Sequence, residues 1–215
     1  MIKYILAALL TLSCAITASA QEDWKLSTQK DGIKVYTRSV PNSKLKALKV
    51  DCNFNATLTQ MTAILTDVKN RGEWVYHTKS FKFLKQASPT DIYYYSEVAM
   101  PWPLQNRDFI AQLVTSQNNT TKVVTIDGPL GENIIPVKEG VVRITDSKSK
   151  WLIIPIDKDE VKVEYVLQVD PGGTIPAWLV NMFASEGPIQ SFKALKLQLK
   201  KPEYKDKQLA FVKDY

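Results

Sequence analysis

Arg107 and Asp108 are the charged residues of this chain best placed to do chemistry. They stand at the head of a strand-like run, before Phe109 and just after the proline-bracketed Trp102. A buried arginine is normally paired, so the favoured reading matches Arg107 with a neighbouring carboxylate that locks the start of the strand. The functional reading sets its guanidinium in a cavity, holding the polar end of a ligand. Other chemistry finds few residues to use. His77 is the only histidine, and Cys52 is the only cysteine beyond Cys14. Two such ligands are too few for a His/Cys metal cluster. A nucleophilic triad would have to use His77, and no GxSxG turn accompanies it. Gly172-Gly173 is a turn into a helix without the GxGxxG spacing of a phosphate-binding loop. No metal and no cofactor is expected.

The elements that must position these residues read as strands closed by helices. Asp31-Gly32 separates two strand-like runs, 24–30 and 33–39, which is a strong hairpin signal. A third strand follows near 44–52. Thr57 and Gln60 form a capping box, and Leu58, Met61, Leu65 and Val68 recur at helical spacing, which predicts a helix over 58–69. Strands are then expected near 80–86, 91–99, 107–116, 121–127, 140–146, 150–156 and 161–169, joined by short polar turns that favour antiparallel neighbours. The last of them alternates: Val161, Val163, Tyr165, Leu167 and Val169 share one face. The loop 127–140 is rich in Gly and Pro yet carries Leu130, Ile134, Ile135 and Val137, as a loop packed on something would. Residues 175–200 read as a closing amphipathic helix with a break at Gly187-Pro188.

Residues 1–20 read as a signal peptide rather than as fold. Lys3 precedes an apolar stretch, and Ala18-Ser19-Ala20 offers a small-residue cleavage site. A lipoprotein reading would use Cys14, but Thr11 occupies the position where leucine is usual. The expected location is therefore periplasmic or secreted, with residues 21–215 forming one domain. Cleavage leaves Cys52 alone, so no internal disulfide is expected. The whole chain carries a formal net charge of +6. Its charges are interspersed and no DNA-binding signature is present, which argues against nucleic acid. The late lysines, Lys193, Lys196, Lys200, Lys201, Lys205 and Lys207, are read as a solvated helix face, with contact to anionic lipid head groups as the sharper alternative.

Two segments, 98-VAMPWPLQNRDFI-110 and 168-QVDPGGTIPAWLVNMF-183, in this order and at this distance, make the chain resemble the START family of StAR-related lipid-transfer domains. The resemblance spans roughly residues 24–200. It implies an α+β helix-grip fold, a curved antiparallel sheet wrapped around a long C-terminal helix. It also implies a monomeric, non-enzymatic carrier that encloses one lipid or other hydrophobic small molecule and meets a membrane surface transiently. In that family the loop corresponding to 127–140 covers the cavity mouth beside the last helix. The residues expected to wall the cavity are Trp74, Tyr94, Trp102, Arg107, Leu113, Ile134, Trp178, Met182 and Phe183. Cholesterol-carrying members have an arginine six positions beyond the Arg of the RDF triplet. Leu113 stands there in this chain, so the ligand class does not carry over. The main rival is a polyketide cyclase or aromatase working in the same cavity, which would need groups such as Arg107, Arg143, Glu97 or Glu164 to converge. A protein-interaction module with a solid core is a second rival.

Overall fold

The computed structural model describes residues 23–41, 46–132, 134–176, 179–180 and 182–214. The expected signal segment and Trp178 lie outside the described residues, as does the side chain of Met182.

Ten described strands form one sheet. They are β1 (Lys25–Lys30), β2 (Ile33–Ser39), β3 (Lys46–Asn55), β4 (Thr78–Ser88), β5 (Asp91–Val98), β6 (Asn106–Gln117), β7 (Val124–Pro129), β8 (Val141–Arg143), β9 (Asp146–Pro155) and β10 (Glu160–Asp170). The order is β1-β2-β3-β10-β9-β7-β6-β5-β4, antiparallel throughout, with β8 pairing parallel to β6 off this path. Asp31 and Gly32 have φ of 52° and 76°, the positive pair that a tight two-residue hairpin turn needs. The strand expected near 140–146 is divided. Residues 141–143 bond to the start of β6, whereas Asp146 onward bonds to β10, so the chain changes partners between them.

Helix α1 (Leu58–Thr66) opens on the expected capping box, with Thr57 and Gln60 each accepting from the other's backbone N–H. It stops short of the predicted 58–69. The Asp67 carboxylate accepts from the backbone N–H of Lys69 (3.1 Å) and of Asn70 (3.4 Å), a local alternative to the helical bond that turns the chain away. A short 3-10 turn, Arg71–Glu73, follows. The closing segment differs from a continuous 175–200 helix. A π-helical turn, Met182–Glu186, leads into α2 (Gly187–Gln198), whose first turn holds Pro188. Proline lacks the N–H that a continuing helix would use, so the regular helix begins there instead of running through. A last turn, α3 (Pro202–Lys205), ends the helical part.

Among the late lysines, Lys193 pairs with Asp31 (2.6 Å), Lys196 donates to the Asp31 carbonyl (3.0 Å), and Lys201 pairs with Glu73. These contacts tie α2 to the β1–β2 turn and the residue ahead of α3 to the 3-10 turn.

The concave face of the sheet is filled along part of its length only. Val161 and Val163 of β10, Ile153 of β9, Phe54 of β3, Met61 and Leu65 of α1 and Phe192 and Leu195 of α2 pack into a continuous apolar core. Further along β10, Leu167 and Val169 meet open space.

Candidate functional site

That space is a cavity of about 780 Å³, within the range of small-molecule sites. Strand alternation builds its wall. Tyr94, Ser96 and Val98 of β5, Phe109 and Ala111 of β6, and Tyr165, Leu167 and Val169 of β10 point in, and Phe183 and Val180 of the closing segment lie across them. The wall is mostly aliphatic and aromatic. A smaller void of about 150 Å³ adjoins it beside Trp74, Trp151 and Phe192.

Two guanidinium groups line the cavity, and neither meets a carboxylate among the described residues. Arg71 stands where the hollow meets the solid core. It donates to the Leu65 carbonyl at the end of α1 (2.9 Å) and lies over the rings of Trp74 (5.1 Å) and Tyr94 (5.2 Å). Tyr165 stacks on Trp151 nearby (4.0 Å), and burial pushes its phenol well above the ordinary range, so it stays protonated. Arg107 stands at the other end. It donates to the carbonyls of Gln105 (2.6 Å), Gly172 (3.1 Å) and Pro171 (3.2 Å). The expected pairing of Arg107 with a carboxylate is thus replaced by a clasp of three carbonyls. It joins the 99–105 loop to the turn that carries Gly172 (φ 69°) and Gly173 (φ 66°). Burial lowers its pKa, but a guanidinium remains charged.

The carboxylate next in sequence faces the other way. Asp108 is fully buried on the outer face and takes a two-pronged grip from Arg143, Nε to Oδ1 at 2.7 Å and Nη2 to Oδ2 at 3.1 Å. Glu97 lies on the same outer face, held by Lys138 (3.0 Å), Lys79 (3.1 Å) and Asn106 (2.8 Å). Burial pushes its carboxyl up, yet Lys138, Lys79 and Asn106 outweigh burial and hold it at about 2.

These outer-face contacts relocate the long loop. Gly131 lies so close to Ile110 and Tyr93 that a Cβ would come within 3.0 Å and 3.1 Å of them. Lys138 sits over the Tyr95 ring (4.8 Å), and Arg143 donates to the carbonyls of Ile135 and Pro136. Tyr93, Tyr95, Glu97 and Ile110 alternate with the residues that face the cavity. Leu130 still lines the cavity, but the described residues between 131 and 140 form a strap across the back of the sheet rather than a cover for the mouth.

Of the residues expected to form the wall, Tyr94, Arg107 and Phe183 are brought together around the cavity. Trp74 borders the small void and packs edge-on against Trp151 (6.1 Å). Leu113 is buried in the solid core. Ile134 is 47% exposed on the strap, and Trp102 is 92% exposed on the 99–105 loop. Sequence reasoning missed Arg71 and Ser96. A signal was available for the first, since Arg71 lies three residues before Trp74 in a turn directly after an apolar helix.

The comparisons agree with this architecture. Residues 6–204 match the START domain model. The chain belongs to the START domain family. A protein of Pseudomonas aeruginosa without an assigned role is 33% identical over 181 residues, 81% of this chain and 86% of that one. Mouse phosphatidylcholine transfer protein is 30% identical over 175 residues, 77% of this chain and 78% of that one. The crystal structure of a STAR-related lipid transfer protein from Xanthomonas axonopodis superposes with a TM-score of 0.75 at 31% identity, covering 83% of this chain and 99% of that one.

Proposed function

We propose that this START domain binds one lipid in its cavity and carries it between membranes. The observation that carries this reading is the combination of a hollow, largely apolar interior with one cation, Arg71, set against the filled core without an acidic partner. Burying acyl chain stabilises the complex by about 25 cal/mol per Å² of apolar area, and Arg71 gives the polar end a fixed station. The START match and the likeness to phosphatidylcholine transfer protein support a phospholipid as the cargo.

The door is the seam clasped by Arg107, between the 99–105 loop and the 171–186 segment. Trp102 stands almost fully exposed on the first, and Val180, both half-exposed and part of the wall, on the second. An exposed tryptophan suits the membrane–water interface, where an apolar ring with a polar N–H is at home. Docking at Trp102 lets the seam open into lipid rather than into water. The protein works as a monomer exported by its N-terminal segment.

No reaction is part of this reading. A cyclase would need groups such as Arg107, Arg143, Glu97 or Glu164 to converge in the cavity, and of these four Arg107 alone lines it. Arg143 and Glu97 face outward, and Glu164 pairs with Lys162 on the outer side of β10. A fluorescent phospholipid moved between two vesicle populations tests the proposal. Transfer should rise in proportion to added protein and fall steeply in Trp102→Ala, whereas Arg107→Ala should speed exchange by loosening the clasp. Absence of transfer in wild type would sink it.

A further inference from the structure

We infer that the lipid carried here has a net negative charge, an anionic phospholipid rather than a choline-bearing one. This rests on the lipid-carrier reading above and specifies its cargo. Three cations face the cavity, Lys46, Arg71 and Arg107, and no Asp or Glu does so among the described residues. The nearby buried acids are spoken for elsewhere. Glu97 and Asp108 point to the opposite face, each neutralised by its own cations. Among the described residues, Arg71 and Arg107 hydrogen-bond only to neutral carbonyl oxygens. The carbonyl end of α1 offsets part of the Arg71 charge. What is left is a positive interior, and a buried cation without a counter-charge is costly until an anion arrives.

The same site is badly suited to a trimethylammonium group, which cannot donate hydrogen bonds and is held by aromatic faces. The ring faces around Arg71 are already engaged. Trp74 and Tyr94 carry the guanidinium itself, Tyr94 stacks on Phe81 (5.2 Å), and Trp151 stacks on both Tyr165 and Phe192. A choline placed beside them would also lie close to a like charge. What the wall offers instead is hydroxyl. Ser96 is buried, faces the cavity two residues along β5 from Tyr94, and has no side-chain hydrogen-bond partner among the described residues. Ser147 and Ser149 face the same space from β9. The Ser149 hydroxyl already donates to the Gly128 carbonyl (3.2 Å), but hydroxyls and guanidinium groups on one cavity wall still fit a phosphodiester whose substituent is itself hydroxylated, the chemistry of phosphatidylglycerol.

The experiment compares phosphatidylglycerol and phosphatidylcholine probes with identical fluorescent acyl chains. Each is offered as a trace component in vesicles of the same host lipid and the same surface charge. Bound probe should favour phosphatidylglycerol by at least about tenfold. Arg71→Gln should weaken phosphatidylglycerol binding far more than phosphatidylcholine binding and so erase most of the preference, and Arg71→Lys should keep most of it. Should Arg71→Gln fail to fold, the wild-type ratio and Arg71→Lys still decide. Equal binding of the two probes, or a preference for choline, overturns the inference and leaves the carrier reading standing. Binding of neither overturns both. Displacement of bound phosphatidylglycerol by excess glycerol phosphate would show a soluble phosphate ester as the ligand and overturn the inference as well.

Discussion

The two faces of the β5–β6 pair treat charge in opposite ways. On the outer face, Glu97 and Asp108 are buried beneath the 131–140 strap and each is matched, to Lys138 and Lys79 in one case and to Arg143 in the other. On the inner side, Arg107 and, at the other end of the cavity, Arg71 are buried with carbonyls as their only hydrogen-bond partners among the described residues. Neighbours in sequence, Arg107 and Asp108, fall on opposite sides because strand residues alternate. The outer charges have their partners in the protein and serve the fold. The inner ones are left for a partner that comes from outside.

The most drastic way to break this comparison is to remove an outer partner. Asp108→Asn leaves Arg143 buried without its carboxylate and should cost about 3–5 kcal/mol, seen as a large fall in urea midpoint, while lipid bound per folded molecule stays constant. An unchanged midpoint would mean that the outer pair contributes nothing. Glu97→Gln should cost less, about 1–2 kcal/mol, since Lys138 and Lys79 are half-exposed and water can take over. Acid should do the same to wild type. The folded-state pKa of Glu97 is depressed, so its stabilisation is complete above the unfolded value of about 4.3 and is lost as pH falls toward 2. Urea midpoints across that window should drop for wild type more than for Glu97→Gln. The smallest stability effect belongs to the inner face. Arg71→Gln removes a buried, uncompensated cation and should move stability by less than about 1 kcal/mol while abolishing most lipid retention. A large loss of stability with lipid retained would place Arg71 among the structural residues and erase the distinction.

Much of the architecture was legible from residue patterns, because hairpin turns, capping boxes and strand alternation are local signals. The face shared by Val161, Val163, Tyr165, Leu167 and Val169 is one example. What alternation does not say is where that face meets packing and where it meets space. Val163 lies in the packed core, while Leu167 borders the cavity, and both are simply inward aliphatics. For the same reason Leu113 and Trp74 belong to packed regions and Tyr94 to the wall. The aliphatics of 130–137 suggest a packed loop, yet Ile134 and Val137 stand exposed while Leu130 lines the cavity, and a run of sequence does not reveal which side of a sheet it will cross. The pairing of Asp108 with Arg143 rather than Arg107 depends on β8 lying parallel to β6, a contact between residues 35 positions apart.

The central claim is that the hollow is a lipid site and not a packing accident. Leu167→Trp puts an indole into the cavity from β10, at the point where the strand passes from the packed core to open space. Native mass spectrometry of wild type and this variant, purified alike from cells, tests the claim most directly. The account predicts one phospholipid mass on most wild-type molecules and bare protein for Leu167→Trp, with the variant at least as stable. Bare wild-type protein, or lipid retained equally by both, would contradict it.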